Sequence, residues 1–186
     1  LLARAGCRVD ELRCGAHVPG VYALLDEAPP PPPYSPLAHN CSGKHAGMLA
    51  LCALSGWPRE GYLEPGHPLQ AAIRAAIAGH AGVRAGDLVP AIDGCSAPNY
   101  ALPLSGLARA YARIARADDG GSDAAARRTI FDAMSAHPDY VSGVRRFDLA
   151  LMRAGRGDWV AKVGAEGVQA VGLRRVFVGI GADHRQ

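Results

Sequence analysis

The hydrophobic spacing of this chain changes period near its end, and that change restricts the architecture more than any other feature. Through the middle, apolar residues recur at intervals of three and four, the stripe of a helix packed on one face. From Trp159 onward they alternate, as side chains do on opposite faces of a strand. The middle therefore reads as helices: one through Met48–Leu54, about 12 residues long, buried, closed by Gly56 and Pro58 and capped by Asn40 or Ser42. A second starts at Pro68 and runs through Ile73 and Ile77 to Gly79, and three more span about Ser105 to Ala117, Asp123 to Ala136 and Val144 to Ala154. Leu88 to Ile92 is a short strand candidate that ends in a run of turn formers, Asp93 to Asn99. Strands are predicted over Trp159–Val163, Val168–Val171 and Arg175–Ile180, the first pair joined through Gly164-Ala165-Glu166-Gly167. Helices followed by antiparallel strands give an α+β layered fold.

The punctuation is consistent with that reading. Residues 28 to 36, with six prolines, cannot be helix or inner strand, because proline fixes φ and lacks a donor; a surface polyproline II segment is expected. Leu1 to Gly6 reads as the last turns of a helix closed by glycine. The chain is thus expected to be a single domain over 1–186, truncated from a longer protein.

Composition bounds the partners. With 49% hydrophobic and 20% charged residues over 186 positions, the chain can build a core that buries roughly 70% of its unfolded surface. The net charge is +3, with basic residues in scattered pairs and no aromatic platform between them, so nucleic acid is not an expected partner. No run approaches the ~18 apolar residues of a membrane span, and no leader opens the chain, so a soluble, cytoplasmic protein is expected. Five cysteines at irregular spacing, Cys7, Cys14, Cys41, Cys52 and Cys95, argue against a disulfide framework and for thiols that are free or bound to metal.

The 20 basic residues divide into 18 arginines and two lysines, Lys44 and Lys162. Where cation positions have drifted to arginine, a surviving lysine marks a place that needs a compact, titratable amine. Gly43-Lys44 before a helix is not a phosphate-binding loop, since that motif needs glycine at 38 and Ser or Thr at 45, where Ala38 and His45 stand. Cys41 and Lys44, three apart at a turn-to-helix junction, can emerge on one face, and Cys95 lies in the other dense loop. Two thiolates from two loops suit zinc with two further ligands, for which His45 and His39 are the usual nominees; a lysine must first lose a proton. The same residues allow a Cys41 or Cys95 nucleophile with His45 as base, or a structural cysteine beside a solvated histidine. Lys162 is either an exposed strand cation or an amine directed into a cleft. Lys-x-Gly on a strand is used by serine acyl enzymes together with Ser-x-x-Lys, which this chain does not contain.

Three strings carry a family resemblance: Asn40-Cys41-Ser42-Gly43-Lys44-His45-Ala46-Gly47-Met48-Leu49, Asp93-Gly94-Cys95-Ser96-Ala97-Pro98-Asn99-Tyr100-Ala101-Leu102-Pro103-Leu104, and Lys162-Val163-Gly164-Ala165-Glu166-Gly167. With Leu12-Arg13-Cys14-Gly15, His17 and Pro19, they resemble the bacterial asparaginase II family of the Rhizobium type, in order, over nearly the whole chain. The resemblance implies a fold similar to serine β-lactamases and glutaminases, and hydrolysis of L-asparagine to L-aspartate and ammonia through a serine. It further implies zinc on Cys41, Lys44 and Cys95, Asp93 near the substrate, Lys162 as the active-site lysine, and a homodimer in the intact protein. The family's nucleophile region and final strand and helix are missing, so these residues alone are expected to be inactive. The alternatives are a zinc-stabilised binding module descended from the family and a cysteine amidohydrolase.

Overall fold

The computed structural model describes residues 1–116 and 120–175, which form two compact units, Leu1–Leu107 and Ala108–Gln186. Both mix helix with a two-stranded antiparallel sheet, so the α+β class holds. No helix among the described residues is long and apolar enough to cross a membrane.

The first unit opens with a single helical turn, Ala3–Ala5, closed by Gly6 at φ 64°. A short α1, Val21–Leu25, follows, and residues 28–35 carry neither helix nor strand. Helix α2, Ser42–Ser55, inserts Leu49 and Cys52, both fully buried, and ends at Gly56, whose φ of 66° only glycine adopts freely. It is longer than predicted, and neither Asn40 nor Ser42 caps it: Cys41 holds the cap position without a side-chain hydrogen bond. Asn40 is engaged elsewhere, its Oδ1 2.9 Å from His17 Nε2 and its Nδ2 directed at Cys41 Sγ.

Helix α3, Pro68–Ala81, starts as predicted on a first-turn proline. His67 caps it by accepting from the Leu69 N–H, a role histidine fills because its Nε2 is held by Pro58 O at 2.9 Å. The core between α2 and α3 is Leu49, Cys52, Tyr62 and Leu69, joined by Cys14, Cys95 and Ala97. Strand β1, Val89–Ile92, pairs with β2, Pro98–Ala101, with Ile92 opposite Pro98. The second strand of that hairpin was not expected, because Pro98 reads as a breaker. At the first residue of a two-stranded ribbon its missing N–H costs no ladder bond.

Helix α4, Leu104–Ala115, is followed by α5, Ala124–Ala136, α6, Asp139–Ser142, and α7, Phe147–Ala154. The single helix expected over Val144–Ala154 is thus shorter, and a separate turn precedes it. Gly143 at φ 85° and Arg145 at φ 56° lie in the left-handed region, which a right-handed helix cannot pass through. Residue Ala117 of the expected third helix lies outside the described residues. Strands β3, Trp159–Val163, and β4, Gln169–Leu173, pair with Lys162 opposite Ala170, and the turn Ala165–Gly167 joins them as the period change predicted. Of the strand expected over Arg175–Ile180, only Arg175 is among the described residues.

Phe131 on α5 and Val160 on β3, both fully buried, centre the second core, and the Arg174 guanidinium lies 3.9 Å from the Phe131 ring centroid. Helix α7 reaches β3 through a tight connection in which a Cβ on Gly155 would meet Trp159 Cγ at 2.4 Å. Gly155→Ala is therefore expected to destabilise the protein by about 1–3 kcal/mol, the usual cost of overpacking, read as a lower urea midpoint at unchanged m.

Candidate metal centre and lysine site

The centre in the first unit is assembled from the start of α2 and the β1–β2 loop. Residues 93 to 97 form a closed turn: the Asp93 N–H donates to Ala97 O, the Ser96 N–H to Asp93 O, and the Gly94 N–H to the Asp93 carboxylate at 2.7 Å. Ser96 takes φ 66° to close it. The turn drives Cys95 and Ala97 into the core and leaves Asp93 partly exposed at the mouth. On the facing side, the Cys41 N–H donates to His39 Nδ1 at 2.9 Å, and the Cys41 sulfur accepts from Asn40 Nδ2 at 3.8 Å.

The Cys41 and Cys95 sulfurs and an Asp93 oxygen all lie within 4.8 Å of one another. Lys44 reaches the same point, with Nζ 3.2 Å from Asp93 Oδ2, the oxygen to which the Cys95 thiol also donates at 3.8 Å. Cys41, Lys44 and Cys95 are therefore brought together. Asp93, read from the sequence only as a substrate contact, stands among the possible ligands; its place two residues before Cys95 in one tight turn was the available signal.

Electrostatics couple the four groups. The Lys44 hydrogen bond holds the Asp93 carboxyl below the usual carboxylate range, against the opposing effect of burial. Burial disfavours the Lys44 charge, but its bonds to Cys95 and Asp93 outweigh this and hold the amine above its ordinary value. Burial likewise pushes the Cys41 thiol up, with Lys44 pulling it down. As described, the centre is an ammonium–carboxylate pair beside two thiols.

The donor set fits zinc. Zn–S bonds of about 2.3 Å in a tetrahedron put two sulfurs about 3.8 Å apart, and the observed cluster spans at most 4.8 Å. Two thiolates, an amine and a carboxylate oxygen form a borderline-soft set of the kind zinc takes. Lys44 enters it only by releasing a proton, which a dication beside it promotes.

The histidines nominated from sequence stand apart from this cluster. His45 is fully buried, with Nδ1 2.6 Å from the Tyr62 hydroxyl, which also accepts from the Arg13 N–H; burial lowers its pKa and keeps it neutral. His39 uses Nδ1 on the Cys41 backbone and stacks edge-on to His17. Neither forms a hydrogen bond to Cys41 Sγ. Burial pushes the Cys41 thiol up, and neither histidine stands beside its sulfur as a base.

The second unit holds Lys162. Its side chain folds along the edge of β3, donating to Val163 O at 2.9 Å, and is 43% exposed. Sequence reading left open an exposed cation or a directed amine; the structure gives a half-exposed amine tied to the strand. Asp148, 1% exposed, lies 4.0 Å from Lys162 Nζ. It was missed from sequence, where Asp148 is one position within the helix expected over Val144 to Ala154.

Among curated proteins nothing matches the chain. The family model of L-asparaginase II, by contrast, matches residues 1–182, the stretch that carries Cys41, Lys44, Asp93, Cys95 and Lys162. With that match over nearly its entire length, the chain belongs to the L-asparaginase II family.

Proposed function

We propose that these residues are part of one domain of an enzyme that hydrolyses L-asparagine to L-aspartate and ammonia by a serine acyl-enzyme route, on a layered fold like that of serine β-lactamases. The observation that carries the reading is the family match over residues 1–182. The sequence holds no Ser-x-x-Lys, so the attacking hydroxyl comes from residues other than these 186. Lys162 moves a proton between nucleophile and leaving amine, the task of a positioned amine in acyl transfer. Asp93, kept ionised by Lys44, offers counter-charge to the α-ammonium of L-asparagine. Zinc held by Cys41, Lys44 and Cys95 would supply a fixed positive centre that orients substrate. The intact enzyme acts in the cytoplasm as a homodimer.

Ammonia release tests the reading. A protein expressed from the complete reading frame is expected to hydrolyse L-asparagine, and these 186 residues alone to fall short by about 10⁶-fold, the scale of losing a nucleophile. No ammonia from the longer protein with L-asparagine or L-glutamine overturns it and leaves the zinc-stabilised binding module. That alternative is favoured by one observation, that the centre couples two core cysteine segments whether or not chemistry occurs there.

A further inference from the structure

Asp148 is a buried carboxylate with more invested in it than an acid in the first turn of a helix requires. It stands in the first turn of α7, where the helix dipole favours its charge. Its Oδ2 accepts a short hydrogen bond from the Ser142 hydroxyl of α6 and a second from the Val163 N–H at 2.9 Å. Val163 is the residue whose carbonyl accepts the Lys162 ammonium. Val163 therefore has its N–H on Asp148 and its C=O on Lys162, so the acid and the amine flank the same residue at the edge of β3 that does not pair with β4. Asp148 Oδ1 is fully buried and accepts from no donor among the described residues. Leaving a buried carboxylate oxygen unpaired is costly. A chain that needed only a cap or a strand clip could use serine or asparagine in its place.

We propose that Asp148 is the positioning residue of Lys162: its anchored, buried carboxylate sets both the place and the charge of the ammonium on β3. The proposal deepens the reading of Lys162 as the active-site lysine and rests on it. Ser142 and the Val163 N–H fix the carboxylate, and Lys162 lies against it across Val163, so a substrate-side proton transfer at Nζ is made against a fixed negative charge. The groups facing this pair are few. Tyr111 of α4 is held un-ionised by burial and, less, by Asp148 itself, and Gln169 of β4 approaches the carboxylate. On the packed elements Arg153 pairs with Asp139, Arg174 with Asp132 and Arg127 with Asp123, and Arg175 pairs with Asp158 just before β3. Burial opposes the Asp148 charge, but Ser142, the Val163 N–H and Gln169, and after them the Lys162 charge, hold the carboxyl below the usual carboxylate range.

Because the chain has two lysines, protein labelled with 13C-lysine gives two Cε signals, and Lys162→Arg identifies which is which. Asp148→Asn keeps an acceptor for Val163 and Ser142 and removes the charge. The Lys162 signal is expected to titrate at least about half a unit lower in Asp148→Asn, toward the small end of what a neighbouring opposite charge does, with the Lys44 signal unmoved. Superimposable Lys162 curves in folded Asp148→Asn overturn the proposal and leave Asp148 a backbone clip. Should Asp148→Asn not fold, Ser142→Ala decides: freeing Oδ2 from its hydroxyl moves the Lys162 titration upward if the charges are coupled, and leaves it unchanged if they are not. Asparagine hydrolysis by the complete protein carrying Lys162→Ala separates the two ideas. Full activity there removes the active-site reading while the titration still reports the coupling. Lost activity with flat titrations removes the coupling alone.

Discussion

Cys95→Ala is expected to lower zinc affinity by more than about 100-fold, so that protein purified without added metal carries little or no zinc. Loss of even an outer partner of a metal ligand commonly costs about 10–100-fold, and Cys95 is one of two sulfurs in a cluster no wider than 4.8 Å. Its replacement leaves Cys41, an amine that prefers its proton, and Asp93. Competition against a chromophoric chelator reads the effect, and zinc retained at one per chain in the variant would remove the proposed site. Lys44→Arg sharpens the test. A guanidinium can keep the pair with Asp93 but cannot deprotonate, so zinc affinity falls while Asp93 stays ionised.

The same centre fixes a pH dependence. The Cys41 thiol and the Lys44 amine both sit above their ordinary values without metal, so protons compete with zinc for both. Affinity should therefore rise as pH rises from 6 to 8, with proton release on binding measurable by calorimetry in two buffers of different ionisation enthalpy. A pH-independent affinity would mean that neither group ligates.

Asp148→Ala should destabilise the protein by about 3 kcal/mol at neutral pH, because the Ser142 hydroxyl and the Val163 N–H each lose a charged acceptor worth roughly 1.5–3 kcal/mol in a buried setting. The sign with pH follows from the depressed carboxyl. A group whose folded pKa lies below its unfolded value, about 3.9 for Asp, stabilises above that value and loses the contribution as pH falls through the folded pKa. Wild type should thus lose more stability than Asp148→Ala on acidification below about pH 4, and the two curves should converge. Urea midpoints at stepped pH read this; parallel curves would contradict it.

Much of the architecture was readable from local pattern, and the exceptions share a cause. Helix α3 announced itself through Pro68 and a regular stripe, and β3 through alternation, because each is decided by residues within a few positions of one another. The β2 strand was not readable, since a proline's meaning depends on which edge of which ribbon it occupies. The break before α7 was hidden because Arg145 adopts φ 56°, a conformation its residue type does not advertise. The metal cluster was half readable: Cys41 and Lys44 share a turn, whereas Cys95 and Asp93 join them only when the hairpin folds back onto α2. His45, a natural ligand by spacing, is instead a core residue on Tyr62.

What the sequence determined unaided is the type and order of most elements and the family, because periodicity, turn chemistry and motif strings are properties of neighbouring residues. Tertiary structure decided which side chains share a charge. Burial and hydrogen bonding, set by segments 49 residues apart for Lys44 and Asp93, turn a helix-start lysine into the partner of a carboxylate beside two thiols, and bring a first-turn acid of α7 to 4.0 Å from Lys162. Electrostatic energy depends on through-space distance and local dielectric, and neither is a function of position along the chain.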